Sequence, residues 1–96
     1  MDTKDAQDLM RRIYFEKDIE RGALGVLQRT LEELEELREA ISENSGDESI
    51  ENEIADVFAW LCSLANVLDV DLSEALIKKY PNACSKCGKA PCQCAQ

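Results

Sequence analysis

Apolar positions along the chain recur at the three- and four-residue spacing of helices and nowhere alternate as they would in a strand. The spacing predicts a first helix over about 2–19, where Leu9, Ile13 and Phe15 or Glu16 lie a turn apart, and a second over about 23–43. In the second, Leu24, Leu27, Leu31, Leu34, Leu37 and Ile41 form one apolar stripe. Gly22 and Gly25 bracket the turn between the two. Asn44-Ser45-Gly46-Asp47 reads as a loop, and Ser45 with Glu48 fits a capping box that opens a third helix running to about Leu68. Asp71 with Glu74 resembles a second such start, for a short fourth helix that stops before Pro81.

The third helix has almost no polar side after Asp56: Val57, Phe58, Trp60, Leu61, Cys62, Leu64, Ala65, Val67 and Leu68 are all apolar. A helix of that kind must be covered from several directions, and the other helices of one short chain supply too little cover. The expected fold is therefore all-α, with helical hairpins that form a four-helix-bundle core on dimerisation. Residues 1–80 form the helical domain and 81–96 a Cys-rich C-terminal tail.

Charge narrows the partners. The 96 residues carry 20 acidic and 11 basic side chains, a net charge of -9, and no basic patch that would displace counterions from nucleic acid or an anionic membrane. Met1-Asp2-Thr3-Lys4-Asp5 lacks an apolar signal core, and the apolar stretch from Ile54 to Leu68 is interrupted by Asp56, Ser63 and Asn66. The expectation is a cytoplasmic protein that does not span a membrane. There is no histidine, which removes Ser-His-Asp triads and histidine-ligated zinc catalysis.

Two acid pairs stand out. Glu33 and Glu36 lie on the second predicted helix, Glu53 and Asp56 on the third, and a three-residue spacing projects both carboxylates of each pair from nearly the same face. Packed side by side, the two helices offer four oxygen ligands to one place, the donor set that Mg²⁺ or Mn²⁺ prefers. In isolation the Glu/Leu-rich run around Glu33 reads as a solvated amphipathic surface. Glu53 and Asp56, however, open the most apolar helix of the chain, where unpaired charge is costly, so either metal or basic side chains must neutralise them. Lysine and arginine are sparse nearby in sequence. Trp60, on the same side as the second pair, suits a core position and is also large enough to stack a base. Cys62 reads as core, and Asn66 as satisfying a local hydrogen bond.

Glu32-Glu33-Leu34-Glu35-Glu36, then Glu53-Ile54-Ala55-Asp56-Val57, then Leu64-Ala65-Asn66 and Asp71-Leu72-Ser73-Glu74-Ala75-Leu76 resemble the MazG-like nucleoside triphosphate pyrophosphohydrolases over about residues 23–80. The resemblance implies an all-α dimer or dimer of dimers that cleaves an NTP or dNTP to the monophosphate and pyrophosphate with Mg²⁺. It maps Glu33, Glu36, Glu53 and Asp56 onto the family's metal ligands and suggests an acid of the first pair as base. Glu33 is favoured because it borders the apolar stripe. Relatives place a lysine near the end of the last helix, with an asparagine a turn later, against phosphate or sugar; Lys79 and Asn82 are the candidates, with Lys78 at the alternative spacing. Glu35 departs from the pattern, since relatives often have glycine there.

The tail reads Cys84-Ser85-Lys86-Cys87-Gly88-Lys89-Ala90-Pro91-Cys92-Gln93-Cys94. In a reducing compartment such spacing suits a structural Zn²⁺ held by Cys84, Cys87, Cys92 and Cys94, with iron–sulfur ligation or redox thiols as the other options. Against the enzyme stands a different class of function, a non-catalytic acidic helical dimer whose zinc-stapled tail binds protein. Dependence on Mg²⁺ separates the two.

Overall fold

The computed structural model describes residues 1–95, and three helices account for most of them: α1 (Thr3–Ser42), α2 (Asp47–Val67) and α3 (Leu72–Lys79). The first two predicted helices lie end to end within α1, separated at Gly22 by non-helical backbone. Asp2 caps α1 by accepting from the Asp5 N–H at 2.8 Å, while Asp5 accepts in return from the Asp2 N–H. The bend sits at Gly22 alone, with φ 76° and ψ 165°, a conformation that a side chain strongly disfavours. Gly25 is helical and lies inside the second arm.

Both ends of the α1–α2 hairpin close by the same device. After α1, Asn44 adopts φ 52°, and the N–H groups of Asn44 and Ser45 donate to the Ile41 and Ala40 carbonyls. After α2, Asp69 adopts φ 57°, and the N–H groups of Asp69 and Val70 donate to the Asn66 and Ala65 carbonyls. These are Schellman closures with Asn and Asp where glycine is commonest. At the start of α2 the structure corrects the expected capping box: Gly46 is the N-cap and makes no side-chain bond, so Ser45 belongs to the preceding closure. Asp71 caps α3 as expected, accepting from the Glu74 N–H at 2.9 Å.

Helix α2 packs chiefly on α1, and a buried amide pair fixes their register with α3. Gln7 donates to the Asn66 side chain and to the Val70 carbonyl, and accepts from the Leu72 N–H. Asn66 donates to the Gln7 carbonyl at 2.9 Å. Asn66 therefore makes a long-range tie between elements, where a local bond was expected.

The face of α1 that meets α2 is not the leucine stripe. Val26, Thr30 and Ala40 are buried and Glu33 and Leu37 half-buried, a set at helical spacing. Leu24, Leu27, Leu31, Leu34 and Ile41 face outward, Leu24 at 81% exposure. Ile54, Phe58, Leu61 and Leu68 are exposed in the same way on α2. The buried apolar residues of the chain are small: Ala6, Val26, Ala40, Cys62 and Ala65. The radius of gyration is 15.6 Å, whereas a compact domain of this length has about 12.5 Å. The molecule is open, with its largest apolar groups on its surface. Among the described residues no helix is long and apolar enough to cross a membrane.

The bend offers a clean test, because a Cβ built on Gly22 meets no atom within 4 Å. Any cost of Gly22→Ala is conformational, not steric. It should lower the unfolding free energy by about 1–3 kcal/mol in urea melts.

Candidate metal centre and adjoining cavity

Helix pairing decides which acids meet. Glu33 lies on the α2-facing side of α1, in register with Thr30 and Leu37, and Glu53 is half-buried near the start of α2. The structure brings carboxylate oxygens of Glu33, Glu53 and Asp56 to within 4.8 Å of one another. Glu36, exposed and outside this trio, is close enough for its charge to act on both Glu33 and Glu53. Three of the four predicted acids thus converge on one seam.

Their electrostatics are those of uncompensated like charge. Glu33 is pushed up to about 7, first by desolvation, then by Glu36 and by the charges of Asp56 and Glu53. Glu53 is also raised, by desolvation and then by Glu36 and Asp56. Among the described residues the ion pairs are Arg21–Asp18 and Arg29–Glu32, and neither includes an acid of the cluster. Salt bridging, the alternative raised by the sequence, does not occur at this site. Glu33 Oε2 and Glu53 Oε2 are both buried without a hydrogen-bond partner. A buried acceptor left in this way is costly, and a divalent cation is the group that two such oxygens beside Asp56 would fit.

A cavity of about 100 Å³ adjoins the cluster, between the first arm of α1 and α2. Tyr14 and Asp18 line it from α1, Asp56, Trp60 and Ser63 from α2. Asp56 is thus shared between the acid cluster and the cavity. Trp60 follows it by one turn, and the guanidinium groups of Arg21 and Arg29 stand 5.3 and 5.4 Å from its ring centroid. Trp60 is half-buried and lines the cavity, so it is not a closed core residue.

Asp18, Arg21 and Arg29 are the side chains that sequence reading missed. Arg29 lies one turn before Glu33, so a helical projection of the second arm would have put it on the side of the acids, whereas Arg21 lies across the Gly22 bend, where no projection reaches. Asp18 is 1% exposed, and its Oδ1 accepts from Arg21 at 3.3 Å. Lys79 and Asn82 lie elsewhere. Both are exposed, neither lines the cavity, and the Lys79 ammonium sits 6.0 Å from the Tyr80 ring. The start of α3 docks on Gln7, beyond the end of α2 farthest from Glu53.

The tail forms a second cluster. The Sγ atoms of Cys84, Cys87, Cys92 and Cys94 all lie within 4.8 Å of one another, with Cys84 and Cys94 3.6 Å apart. Zn–S bonds of about 2.3 Å at tetrahedral angles separate sulfurs by about 3.8 Å. Backbone N–H groups point at the sulfurs: Lys86 to Cys84 and Gln93 to Cys87, both at 3.4 Å. Hydrogen bonds from the Cys87 and Lys86 backbone pull the Cys84 thiol down to about 6, and bonds from Gln93 and Lys89 lower Cys87. Cys94, hydrogen-bonded to the other thiols, is pushed up to about 11. Cys62 is buried away from this group, and desolvation raises its thiol.

No curated protein matches the sequence. The family model for the MazG nucleotide pyrophosphohydrolase domain matches residues 21–88, which take in Arg21, Arg29, all four acids, Trp60 and the first two cysteines of the tail. That span is more than two thirds of the chain, and the protein belongs to the MazG nucleotide pyrophosphohydrolase domain family.

Proposed function

We propose that the protein hydrolyses nucleoside triphosphates, NTP or dNTP, to the monophosphate and pyrophosphate. The observation that carries this reading is the pair of buried, unpartnered oxygens on Glu33 and Glu53 beside Asp56, in a chain with the MazG domain. Glu33, Glu36, Glu53 and Asp56 hold Mg²⁺ or Mn²⁺. When bound, the cation neutralises the triphosphate that an acidic protein would otherwise repel and stabilises charge on the departing pyrophosphate.

The chain's own side chains do the rest. Glu33 is the proposed base: it lies half-buried on the seam, and its carboxylate oxygen that is not on the cation takes a proton from the water that attacks the α-phosphorus as the bond to the bridging oxygen breaks. Trp60 stacks the base in the adjoining cavity, with the sugar between it and Asp56. Arg21 and Arg29, beside Trp60, add the positive charge that the acids lack. Lys79 and Asn82 would reach substrate only if α3 or a second subunit carried them to this seam.

Two features complete the reading. The outward leucines of α1 and the apolar residues Ile54, Phe58 and Leu61 of α2 are covered by a second copy, giving a homodimer with a four-helix core, or a dimer of dimers. The four tail cysteines hold one structural Zn²⁺, whose binding orders a segment that has no apolar core of its own.

Three measurements test this. Pyrophosphate release from a panel of NTPs and dNTPs should require Mg²⁺ or Mn²⁺. Glu53→Gln or Asp56→Asn should reduce it at least about a hundredfold with helical content unchanged, and full activity in either variant would contradict the assignment. Light scattering should give at least twice the 10.8 kDa chain mass, with Phe58→Glu shifting the protein towards monomer or unfolded chain; a folded wild-type monomer at micromolar concentration would exclude the dimer. Metal analysis should find about one Zn²⁺ per chain. Cys87→Ser should lower that content and the melting temperature while leaving Mg²⁺-dependent hydrolysis measurable.

A further inference from the structure

The net charge of -9 conceals a segregation of charge along the chain. All the acids lie at or before Glu74, and the residues after it carry Lys78, Lys79, Lys86 and Lys89 with no acid. These four lysines are exposed, and among the described residues none takes part in an ion pair. The cysteine cluster holds two of them in place. The Lys86 N–H donates to Cys84 Sγ at 3.4 Å, and the Lys89 carbonyl accepts from the Cys84 N–H at 3.0 Å. Zn²⁺ with four thiolates carries two net negative charges, fewer than the lysines supply, so this end stays positive with the metal bound.

The opposite sign collects at the tip of the α1–α2 hairpin. Glu35, Glu39, Glu43, Asp47, Glu48 and Glu51 surround the turn, all exposed and none in an ion pair among the described residues, with Arg38 the one base among them. From Asp47 to Asn66 helix α2 rises about 28 Å away from this tip. Asn66 is tied to Gln7, which receives the start of α3. No residue of α3 is buried, and Leu76 and Ile77 are 61% and 65% exposed, so α3 is not packed back along α2. Lys86 and three of the cysteines share a hollow with Tyr80, the residue that ends α3, so the tail stays at the same end. The hairpin thus has an acidic tip and a basic base, with its length between them.

A second copy can cover the outward apolar stripes with the two tips together or with the tips opposed, according to the direction of the two-fold axis. The first arrangement sets acids against acids and lysines against lysines. It also sets Arg38 against its own copy, because Arg38 fills the place in the stripe between Leu34 and Ile41. Like charges face to face oppose association. With the tips opposed and Leu24 of one copy level with Ile41 of the other, Gly22 lies level with the partner's turn. Glu33 is level with Glu53 and Asp56, so the end of α2 is level with Gly22 and meets that turn too. We propose that α3 and the tail are a docking surface for the acidic hairpin tip of a second copy, which makes the dimer antiparallel. This rests on the dimer proposed above. The contact is made twice, and the tail metal serves it by ordering Lys86 and Lys89.

A carbodiimide, which joins lysines to carboxylates in direct contact, tests this on the wild-type, zinc-loaded protein. Peptides linking Lys86 or Lys89 to Glu43, Asp47 or Glu48 should be recovered from the covalent dimer and be absent from the monomer. Raising NaCl from about 50 mM to about 1 M should lower their yield at least about threefold, because salt screens exposed pairs. Lys86→Glu with Lys89→Glu should raise the Kd of the dimer at least about tenfold, and so should Glu43→Lys with Glu48→Lys. An equal mixture of the two variants should return to within about threefold of wild type, since both contacts are then complementary. With tips together, each variant would match wild type and the mixture would exceed it. That pattern, a dimer without these links, a dimer that tightens with salt, or lysines shielded instead by a single-stranded oligonucleotide overturns the antiparallel docking and leaves the dimer standing. A folded monomer overturns both.

Discussion

Carboxylates of like charge, set across a helix–helix seam with no basic side chain between them, repel each other and lose hydration together. That is the constraint around which this small protein is arranged. Glu33, Glu53 and Asp56 come within 4.8 Å of one another, and two of their oxygens are buried without a partner. Helix pairing places them there: the same register that buries Val26, Thr30 and Ala40 against α2 turns Glu33 inward. Packing and charge are therefore opposed at this seam. The proposed divalent cation would reconcile them by converting the repulsion that raises Glu33 into shared coordination.

The rest of the chain holds the seam in register with little apolar core. Gly22 turns α1 so that its first arm crosses to form the cavity wall with Tyr14 and Asp18. The Gln7–Asn66 amide pair ties that arm to the end of α2 and the start of α3, and each of its bonds needs the others for full satisfaction. Such directional ties matter more where the buried apolar groups are as small as alanine and valine. The large apolar side chains are on the outside, where they contribute little to the fold of one chain and form the surface that the proposed dimer would cover.

Much of this was legible in the sequence, for identifiable reasons. Helical periodicity, the Asp71 cap and the Asn44–Asp47 loop marked the helices to within a few residues, since caps and turns are local. The two acid pairs were legible because a three-residue spacing fixes a face regardless of tertiary detail. What was not legible is which face meets which. The leucine stripe of α1 was plain, but not that Val26, Thr30, Glu33 and Ala40 are the side that faces α2, because periodicity alone does not tell which face meets which neighbour. Asp18 was missed because a lone acid near the end of a helical segment carries no local signal; its importance comes from burial. Asn66 looked local for the same reason. Its partner, Gln7, lies 59 residues away.

The measurement that bears most directly on the acid seam is paramagnetic broadening by Mn²⁺, read on the indole N–H of Trp60, the chain's one tryptophan. Trp60 lies one helical turn from Asp56, so an ion held by the four acids must broaden that resonance at substoichiometric Mn²⁺. Excess Mg²⁺ should restore it, and Glu33→Gln combined with Glu53→Gln should prevent the effect without loss of helix. An indole signal that stays sharp as Mn²⁺ is added, or broadening that persists undiminished in the double variant, would contradict a metal centre at this seam.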